Sequence, residues 1–264
     1  MKIHPTASID PSAQIEDDVE IGAFAVVGAD VTVGQGTRLR PHAVIEPYVR
    51  IGKNCDVFSG AVLGGIPQDR KFHGEPSHLV IGDNNIIREH VTIHRAAGAG
   101  EETRIGNDNL IMAYCHVGHN CVLHNGITMA SFTGISGHAL IEDKANFGGY
   151  VGVHQFVRVG RLAMLGGFSK VVQDIPPFMM ADGRPCEVMG LNVRGLRRAE
   201  VSSQVRADLK QAYKLLYRSG LNTTQAVEII DAEIGSSPER DYLLDFIRQI
   251  PGGSNGRQND APRG

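Results

Sequence analysis

A large apolar residue recurs at every sixth position of this chain from Ile3 to Val171, and the register never slips. Only three of these positions hold another kind of residue, namely Asp69, Glu75 and Ala99. A short fixed period of this kind is the signature of a solenoid, in which each repeat packs on the next. The interruptions indicate extruded loops, and loops on a rigid scaffold often carry binding residues.

The six-residue period does not fit an α-helix, which has 3.6 residues per turn. It fits a parallel β-helix of triangular cross-section, with three short strands in each coil of about 18 residues and coils separated by about 4.8 Å. Residues i and i+18 then lie one above the other. We expect an all-β solenoid over residues 1–175, with loops 64–79 and 95–103 extruded from it.

The repeat stops at Pro176-Pro177, because proline cannot donate to a strand ladder. Beyond it the apolar residues follow helical spacing, and Ser237 precedes a proline in the pattern of a helix start. The sequence therefore predicts a small C-terminal α-helical domain over residues 176–250. Residues 251–264 are rich in Gly, Asn and Pro and are predicted to be disordered.

Composition narrows the function classes. The 264 residues carry a net charge of −3, which gives no overall signal for nucleic acid. No apolar run approaches the roughly 18 residues of a membrane span, and the N-terminus lacks the apolar core of a signal peptide. We expect a cytoplasmic protein without stable membrane insertion. The basic run from Arg184 to Arg218 fits either a solvated helix face or a docking patch for an acidic partner or a phosphate.

The four cysteines show neither metal spacing nor a disulfide framework. Cys55, Cys115 and Cys121 share one phase of the repeat, four positions after the large apolar residue, where alanine usually stands. They are predicted to be small buried residues. We expect no metal site and no cofactor.

Histidines cluster in the last third of the repeat, and His119 has a particular neighbour. Gly137 follows it by one coil length, so the two should lie side by side on adjacent coils. A neutral imidazole can take a proton from a hydroxyl, and an unobstructed main-chain N–H beside it can stabilise an oxyanion. With no evident Ser or Cys nucleophile, this pair suggests direct acyl transfer between two bound substrates.

Several motifs carry a resemblance to a known family. They are Gln-Asp-Arg-Lys at 68–71, His-Val-Gly-His at 116–119, Ser-Gly-His at 136–138 and Leu-Arg-Arg at 196–198. The chain resembles the UDP-N-acetylglucosamine acyltransferases among the hexapeptide-repeat acyltransferases. The resemblance implies a left-handed parallel β-helix and a homotrimer with sites between neighbouring solenoids. It also implies transfer of a (3-hydroxy)acyl chain from acyl carrier protein to the 3-position of the glucosamine of UDP-N-acetylglucosamine, the first step of lipid A biosynthesis.

The same resemblance implies residue roles. His119 would be the general base, the Gly137 N–H the oxyanion donor, and Asn120 the residue that fixes the tautomer of the imidazole. The substrate-binding residues would be Gln68, Asp69, Lys71, His116, His138, His154 and Gln155 for the sugar and acyl groups, Gly167 for acyl length, and Asn192 and Arg198 for the nucleotide.

Three positions depart from the family pattern. Asn120 stands where the family often has Asp, and it cannot stabilise an imidazolium with a charge. Pro185 replaces a histidine that some members place near the phosphates, and Arg194 replaces an acidic residue. The residues that would contact the nucleotide therefore match the family pattern least well.

Other functions stay open at this point. His119 and His124 have the spacing of γ-class zinc carbonic anhydrases, with His94 as a third ligand. A later N-acyltransferase of the same pathway usually has an extra N-terminal domain, whereas this chain enters the repeat by Ile3. A non-catalytic hexapeptide scaffold is a further alternative. Acyl length, and a 3-hydroxyl against a 3-amino acceptor, are undetermined.

Overall fold

A computed structural model describes residues 2–250 of the chain; the predicted disorder of residues 251–264 lies outside the described residues. The chain winds as a left-handed parallel β-helix and ends in a small helical part. Each coil has three short strands, one in each of three sheets, A, B and C. The parallel β-helix predicted from the six-residue period and the left hand implied by the family resemblance are both confirmed.

The three sheets are stacks of equivalent strands from successive coils. Sheet A contains β1 (Lys2–Ile3), β4 (Glu20–Ile21), β7 (Arg38–Leu39), β10 (Asp56–Val57), β13 (Ile86–Ile87), β16 (Leu110–Ile111), β19 (Thr128–Met129), β22 (Asn146–Phe147), β25 (Met164–Leu165), β27 (Met179–Asp182) and β28 (Glu187–Leu191). Sheet B contains β2 (Ser8–Ile9), β5 (Val26–Val27), β8 (Val44–Ile45), β11 (Val62–Gly65), β14 (Thr92–His94), β17 (His116–Val117), β20 (Gly134–Ile135), β23 (Gly152–Val153) and β26 (Lys170–Val171). Sheet C contains β3 (Gln14–Ile15), β6 (Thr32–Val33), β9 (Val49–Ile51), β12 (His78–Ile81), β15 (Glu102–Ile105), β18 (Val122–Leu123), β21 (Leu140–Ile141) and β24 (Arg158–Val159).

The large apolar residue of each repeat points into the solenoid. Ile45, Ile93, Val117 and Ile135 are all fully buried, and together with their equivalents they form one continuous core. Stacking of like residues satisfies the main chain through parallel ladders and removes apolar surface from water at about 25 cal/mol per Å². The first coil is less covered, and its Ile3 is exposed.

The extruded loops preserve the phase because their lengths are multiples of the repeat. Thr128 pairs with Asn146, its equivalent on the next coil, where no loop intervenes. Across the first loop Asp56 pairs with Ile86, and across the second loop Ile86 pairs with Leu110. These two coils are therefore longer than an uninterrupted one by two repeats and by one repeat. The six-residue phase of the sequence is therefore the same before and after each loop.

The C-terminal part closes the last coil. Strand β27 pairs parallel to β25, and β28 folds back antiparallel on β27, so strand structure continues past the predicted boundary at residue 175. The helices are α1 (Val193–Arg198), α2 (Ser203–Arg218), α3 (Thr223–Glu233) and α4 (Pro238–Gln249). Ser237 caps α4, with Pro238 at its first position, as predicted.

Two kinds of contact attach the helices to the solenoid. Phe178, Leu196, Leu209 and Leu243 share a second buried core. In addition, the buried carboxylate of Glu142 pairs with Arg158 and accepts a hydrogen bond from the Tyr242 hydroxyl of α4 at 2.6 Å. No helix within residues 2–250 is long and apolar enough to cross a membrane.

Candidate active site

Both extruded loops and most of the predicted site residues lie on one corner of the solenoid, between sheets B and C. The first loop leaves β11 and re-enters at β12, and the second leaves β14 and re-enters at β15. We call this edge the histidine corner. Its residues from the predicted set are Gln68, Asp69, Lys71, His116, His119, Asn120, Gly137, His138, His154 and Gln155.

Hydrogen bonds fix the tautomer of His119. The amide nitrogen of Asn120 donates to the Ala97 carbonyl at 3.0 Å, so its oxygen Oδ1 is the acceptor facing His119. His119 Nδ1 lies 2.8 Å from that oxygen and must therefore carry the proton. The other nitrogen, Nε2, keeps its lone pair. This is the form of imidazole that can accept a proton from a substrate hydroxyl.

Gly137 faces the free nitrogen of His119 across the coil spacing, as predicted. A Cβ at Gly137 would lie 2.8 Å from His119 Nε2, closer than such atoms approach, so the side-chain position must be empty. The φ of Gly137 is not positive, which means that space and not backbone conformation demands the glycine. Within residues 2–250 its N–H meets no acceptor. The donor is available to a ligand.

Two further histidines surround this pair and are held neutral. The His138 ring lies 5.1 Å from that of His119, edge-on, and stacks on Phe156 at 4.8 Å. Burial, followed by repulsion from His119, lowers the pKa of His138. Burial, followed by repulsion from His94, lowers the pKa of His116. Both rings therefore favour the neutral form beside the pair of His119 and Gly137.

The first loop presents its polar side chains toward solvent beside this corner. Gln68 and Lys71 are exposed, and Asp69 is half-buried and accepts a hydrogen bond from the Lys71 N–H at 3.0 Å. His94 Nδ1 lies 2.6 Å from the Ile66 carbonyl and holds the base of the loop. His154 and Gln155 are also exposed on the coil beyond His138. None of these side chains is locked in the core.

The predicted nucleotide residues lie elsewhere. Asn192 and Arg198 border a cleft of about 710 Å³ against sheet A, together with Met164, Met180 and Arg194. The amide of Asn192 is already engaged, since Oδ1 caps α1 at the Gly195 N–H and Nδ2 donates to the Leu162 carbonyl. Sequence reasoning missed this capping role, although Asn before a helix is its usual signal. A single chain does not bring the cleft and the histidine corner together.

A column of stacked aromatic rings occupies a different corner, between sheets A and B, and we call it the aromatic corner. Tyr114, Phe132, Tyr150 and Phe168 stack at centroid distances of 5.0, 4.7 and 4.8 Å, and each is 45–58% exposed. Gly167 precedes Phe168 on this corner. The column was not predicted from the sequence, although its aromatic residues recur at the spacing of one coil. Exposed apolar patches of this kind mark interaction surfaces.

The zinc alternative finds no support in the geometry. His124 lies on the corner between sheets C and A, and its nearest charged neighbour is Asp143, 4.0 Å away. His119 and His94 lie on the histidine corner. No group of three or more His, Cys, Asp or Glu in the described part of the chain could hold a metal ion.

All four cysteines are free and buried, and the burial predicted for Cys55, Cys115 and Cys121 is confirmed. Burial raises the pKa of Cys115 to about 11 and that of Cys121 to about 12. These thiols are therefore not nucleophiles of the site, even though both flank the histidines in sequence.

Comparisons with known proteins agree with this geometry. Residues 174–256 match the family model "Udp N-acetylglucosamine O-acyltransferase; Domain 2", and residues 12–47 and 102–137 match the bacterial transferase hexapeptide model. An acyl-[acyl-carrier-protein]–UDP-N-acetylglucosamine O-acyltransferase from Thermodesulfovibrio yellowstonii is 46% identical over 93% of this chain and 96% of its own.

Solved structures give the same result. LpxA from Bacteroides fragilis, a UDP-N-acetylglucosamine acyltransferase, has a TM-score of 0.91 and 41% identity, covering 93% of this chain and 96% of its own. LpxA from Acinetobacter baumannii has a TM-score of 0.90 and 41% identity, over 94% and 96% of the two chains. Similarity therefore extends over both the solenoid and the helical part.

Proposed function

The chain belongs to the family of UDP-N-acetylglucosamine O-acyltransferases, and on that premise we propose that it transfers an acyl chain from acyl carrier protein to UDP-N-acetylglucosamine, the first step of lipid A biosynthesis. The observation that carries the proposal is His119, which presents an unprotonated Nε2 beside the Gly137 N–H, a donor that meets no acceptor among residues 2–250. A base and an oxyanion donor are what direct acyl transfer requires.

The reaction follows from these two groups. His119 Nε2 removes the proton of the sugar 3-hydroxyl while the oxygen of that hydroxyl attacks the thioester carbonyl carbon. The Gly137 N–H donates to the oxyanion of the tetrahedral intermediate, a contribution of about 3 kcal/mol for one such donor in other enzymes. When the C–S bond breaks, the imidazolium returns its proton to the leaving thiolate. No covalent acyl-enzyme is needed, and the products are the acylated sugar nucleotide and the free thiol.

The side chains around the base bind the two substrates in this proposal. Asp69 and Lys71 of the first loop contact the sugar, together with Gln68, and His116, His138, His154 and Gln155 line the path of the sugar and acyl groups. Arg198 contacts the nucleotide from the cleft at sheet A. Gly167 limits acyl length in this proposal, and a Cβ there would lie 3.3 Å from the Gly149 carbonyl oxygen and 3.8 Å from the Gly149 nitrogen.

We further propose that the active form is a homotrimer. The aromatic corner lies between sheets A and B, so it separates the histidine corner on one side from the cleft at sheet A on the other. Three chains around an axis along the aromatic corner bury its exposed rings and bring the histidine corner of one chain to the cleft of the next. Each site then draws residues from two chains. We also propose a cytoplasmic location, where the buried free cysteines remain reduced.

The test is an assay with a panel of acyl carrier protein thioesters and with both 3-hydroxyl and 3-amino sugar nucleotides, read by mass spectrometry. His119→Ala should lower turnover by about 10² or more, the usual contribution of a general base. His124→Ala on the other corner is the matched control and should keep near-normal turnover. Near-normal turnover of His119→Ala would contradict the base assignment, and no acyl transfer by the wild type would favour a non-catalytic scaffold.

A further inference from the structure

Glu75 is one of the three interruptions of the repeat, and it connects the two extruded loops. One carboxylate oxygen accepts from the Gly98 N–H of the second loop at 3.0 Å, and the other accepts from the His73 N–H of its own loop at 2.9 Å. Main-chain donors, those of Glu75 itself and His73 first, lower the pKa of this carboxyl, so it is ionised at neutral pH. A charged acceptor makes such bonds stronger than neutral ones.

The residue next to Gly98 is held by the partner of the catalytic histidine. The Ala97 N–H donates to Asn120 Oδ1 at 2.9 Å, and the Ala97 carbonyl accepts from Asn120 Nδ2 at 3.0 Å. The same Oδ1 accepts from His119 Nδ1. A continuous chain of hydrogen bonds therefore runs from Glu75 through the Ala97–Gly98 peptide and Asn120 to His119.

Other contacts confine the loops to this arrangement but do not reach the base. The Gly100 N–H donates to the Pro76 carbonyl at 2.8 Å, and the Arg95 N–H donates to the Gly65 carbonyl at 3.1 Å. The buried Arg95 guanidinium lies 5.6 Å from the centre of the Phe72 ring. They hold the first loop against the second. The hydrogen bonds of Glu75, by contrast, continue through the Ala97–Gly98 peptide and Asn120 to the imidazole.

We propose that Glu75 is a positioning residue that acts on the reaction through the second loop and Asn120, and that it couples the substrate-binding first loop to the orientation of His119. The inference rests on the proposed role of His119. It also gives a reason for Asn at position 120: an amide can hold both the N–H and the carbonyl of Ala97, whereas a carboxylate would place an acceptor against that carbonyl.

The test is a double-mutant cycle on kcat and KM. Glu75→Ala should lower kcat about tenfold, because a small misplacement of a base is amplified in the rate. In the Asn120→Ala background, where the relay is already cut, the same change should lower kcat about twofold or less, since residues acting as one unit are non-additive. Glu75→Gln, which keeps an acceptor for the Gly98 N–H, should recover most of the lost kcat.

Two controls make the outcomes distinct. Glu16→Ala removes a glutamate that accepts a main-chain N–H, that of Gln35, far from the site, and should leave kcat unchanged. If Glu75→Ala lowers kcat equally in both backgrounds, or Glu75→Gln recovers nothing, Glu75 merely stabilises the loop and the relay is wrong. If His119→Ala keeps its turnover, the proposed base fails first, independently of Glu75.

Discussion

The histidine corner and the aromatic corner share one turn geometry, but the histidine corner also carries the two extruded loops. In both, the residue three positions after the buried apolar one has a positive φ: His138 at 61° and Phe156 at 64° on one, Phe132 at 65° and Tyr150 at 60° on the other. Repeated turns of one geometry align the equivalent side chains of successive coils. On one corner this alignment assembles a site, and on the other it assembles a stack of exposed rings.

The solenoid therefore fixes the position of each corner residue, whereas the type of side chain at that position varies. A non-glycine residue at positive φ is strained by roughly 1 kcal/mol or more, yet the fold accepts it at nearly every corner because the next coil over-determines the turn. Function is therefore indicated by what is placed on the turn. Polar side chains on the turn indicate a binding or catalytic site, and exposed apolar rings indicate an interaction surface.

The largest expected effect comes from breaking the aromatic corner. Phe132→Glu places a charge between two stacked rings, and its burial without a partner in the proposed trimer is unfavourable. We expect a monomer by light scattering and a turnover lower by about 10² or more, because the base and the nucleotide cleft separate. Phe132→Tyr, which matches its neighbours, should keep both the mass and the activity. A fully active monomer would show that one chain suffices.

The next effect tests the geometry of the histidine corner. Gly137→Ala introduces a Cβ 2.8 Å from His119 Nε2, which must displace the ring. Turnover should fall by about 10², the size expected for an ångström-scale misplacement of a catalytic group. The melting temperature should change little, since φ is not positive at this residue. Gly235→Ala, where a Cβ meets nothing within 4 Å, is the matched control. Unchanged turnover would mean that the ring can move freely.

A smaller effect links the two corners. Gly167 lies beside Phe168 on the aromatic corner, and the proposed acyl path reaches it. Gly167→Met should lower kcat/KM for long acyl chains relative to short ones by about tenfold, a typical penalty for a few methylene groups without space. Competition between thioesters of different length, read by mass spectrometry, measures the ratio. An unaltered ratio would remove Gly167 from the acyl path.

The smallest effect concerns pH. Because burial and His119 lower the pKa of His138 in the folded state, protonation favours the unfolded chain. Above the pKa of His138 in the unfolded chain, about 6.5, the ring is neutral in both states and the free energy of unfolding is not reduced. As the pH falls below that value toward the pKa in the folded state, the unfolded chain takes up the proton first and the free energy of unfolding decreases. His138→Phe, which extends the stack with Phe156, should show a shallower fall of melting temperature between pH 7 and pH 5. An identical slope would indicate that His138 does not contribute.

Several features could be predicted from local sequence alone. The period of six predicted the β-helix, the three interruptions predicted both loops, and the one-coil spacing paired His119 with Gly137. Each prediction depends on the constant repeat length, because residues separated by one coil length lie next to each other on adjacent coils. Asn120 was predicted to orient the imidazole. Its two hydrogen bonds with the main chain of Ala97 were not predicted, because they depend on how the second loop folds back.

Tertiary structure decided the rest. It assigned the His124 side chain to another corner, committed the Asn192 amide to a helix cap, and separated the Arg198 cleft from the base within one chain. It also joined Glu75 to His119 through the second loop. The solenoid and the pair of His119 and Gly137 follow from the amino-acid sequence, since both depend on a short period. The contacts between the loops, and the separation of the Arg198 cleft from the histidine corner within one chain, depend on tertiary structure, because they relate residues that no repeat connects.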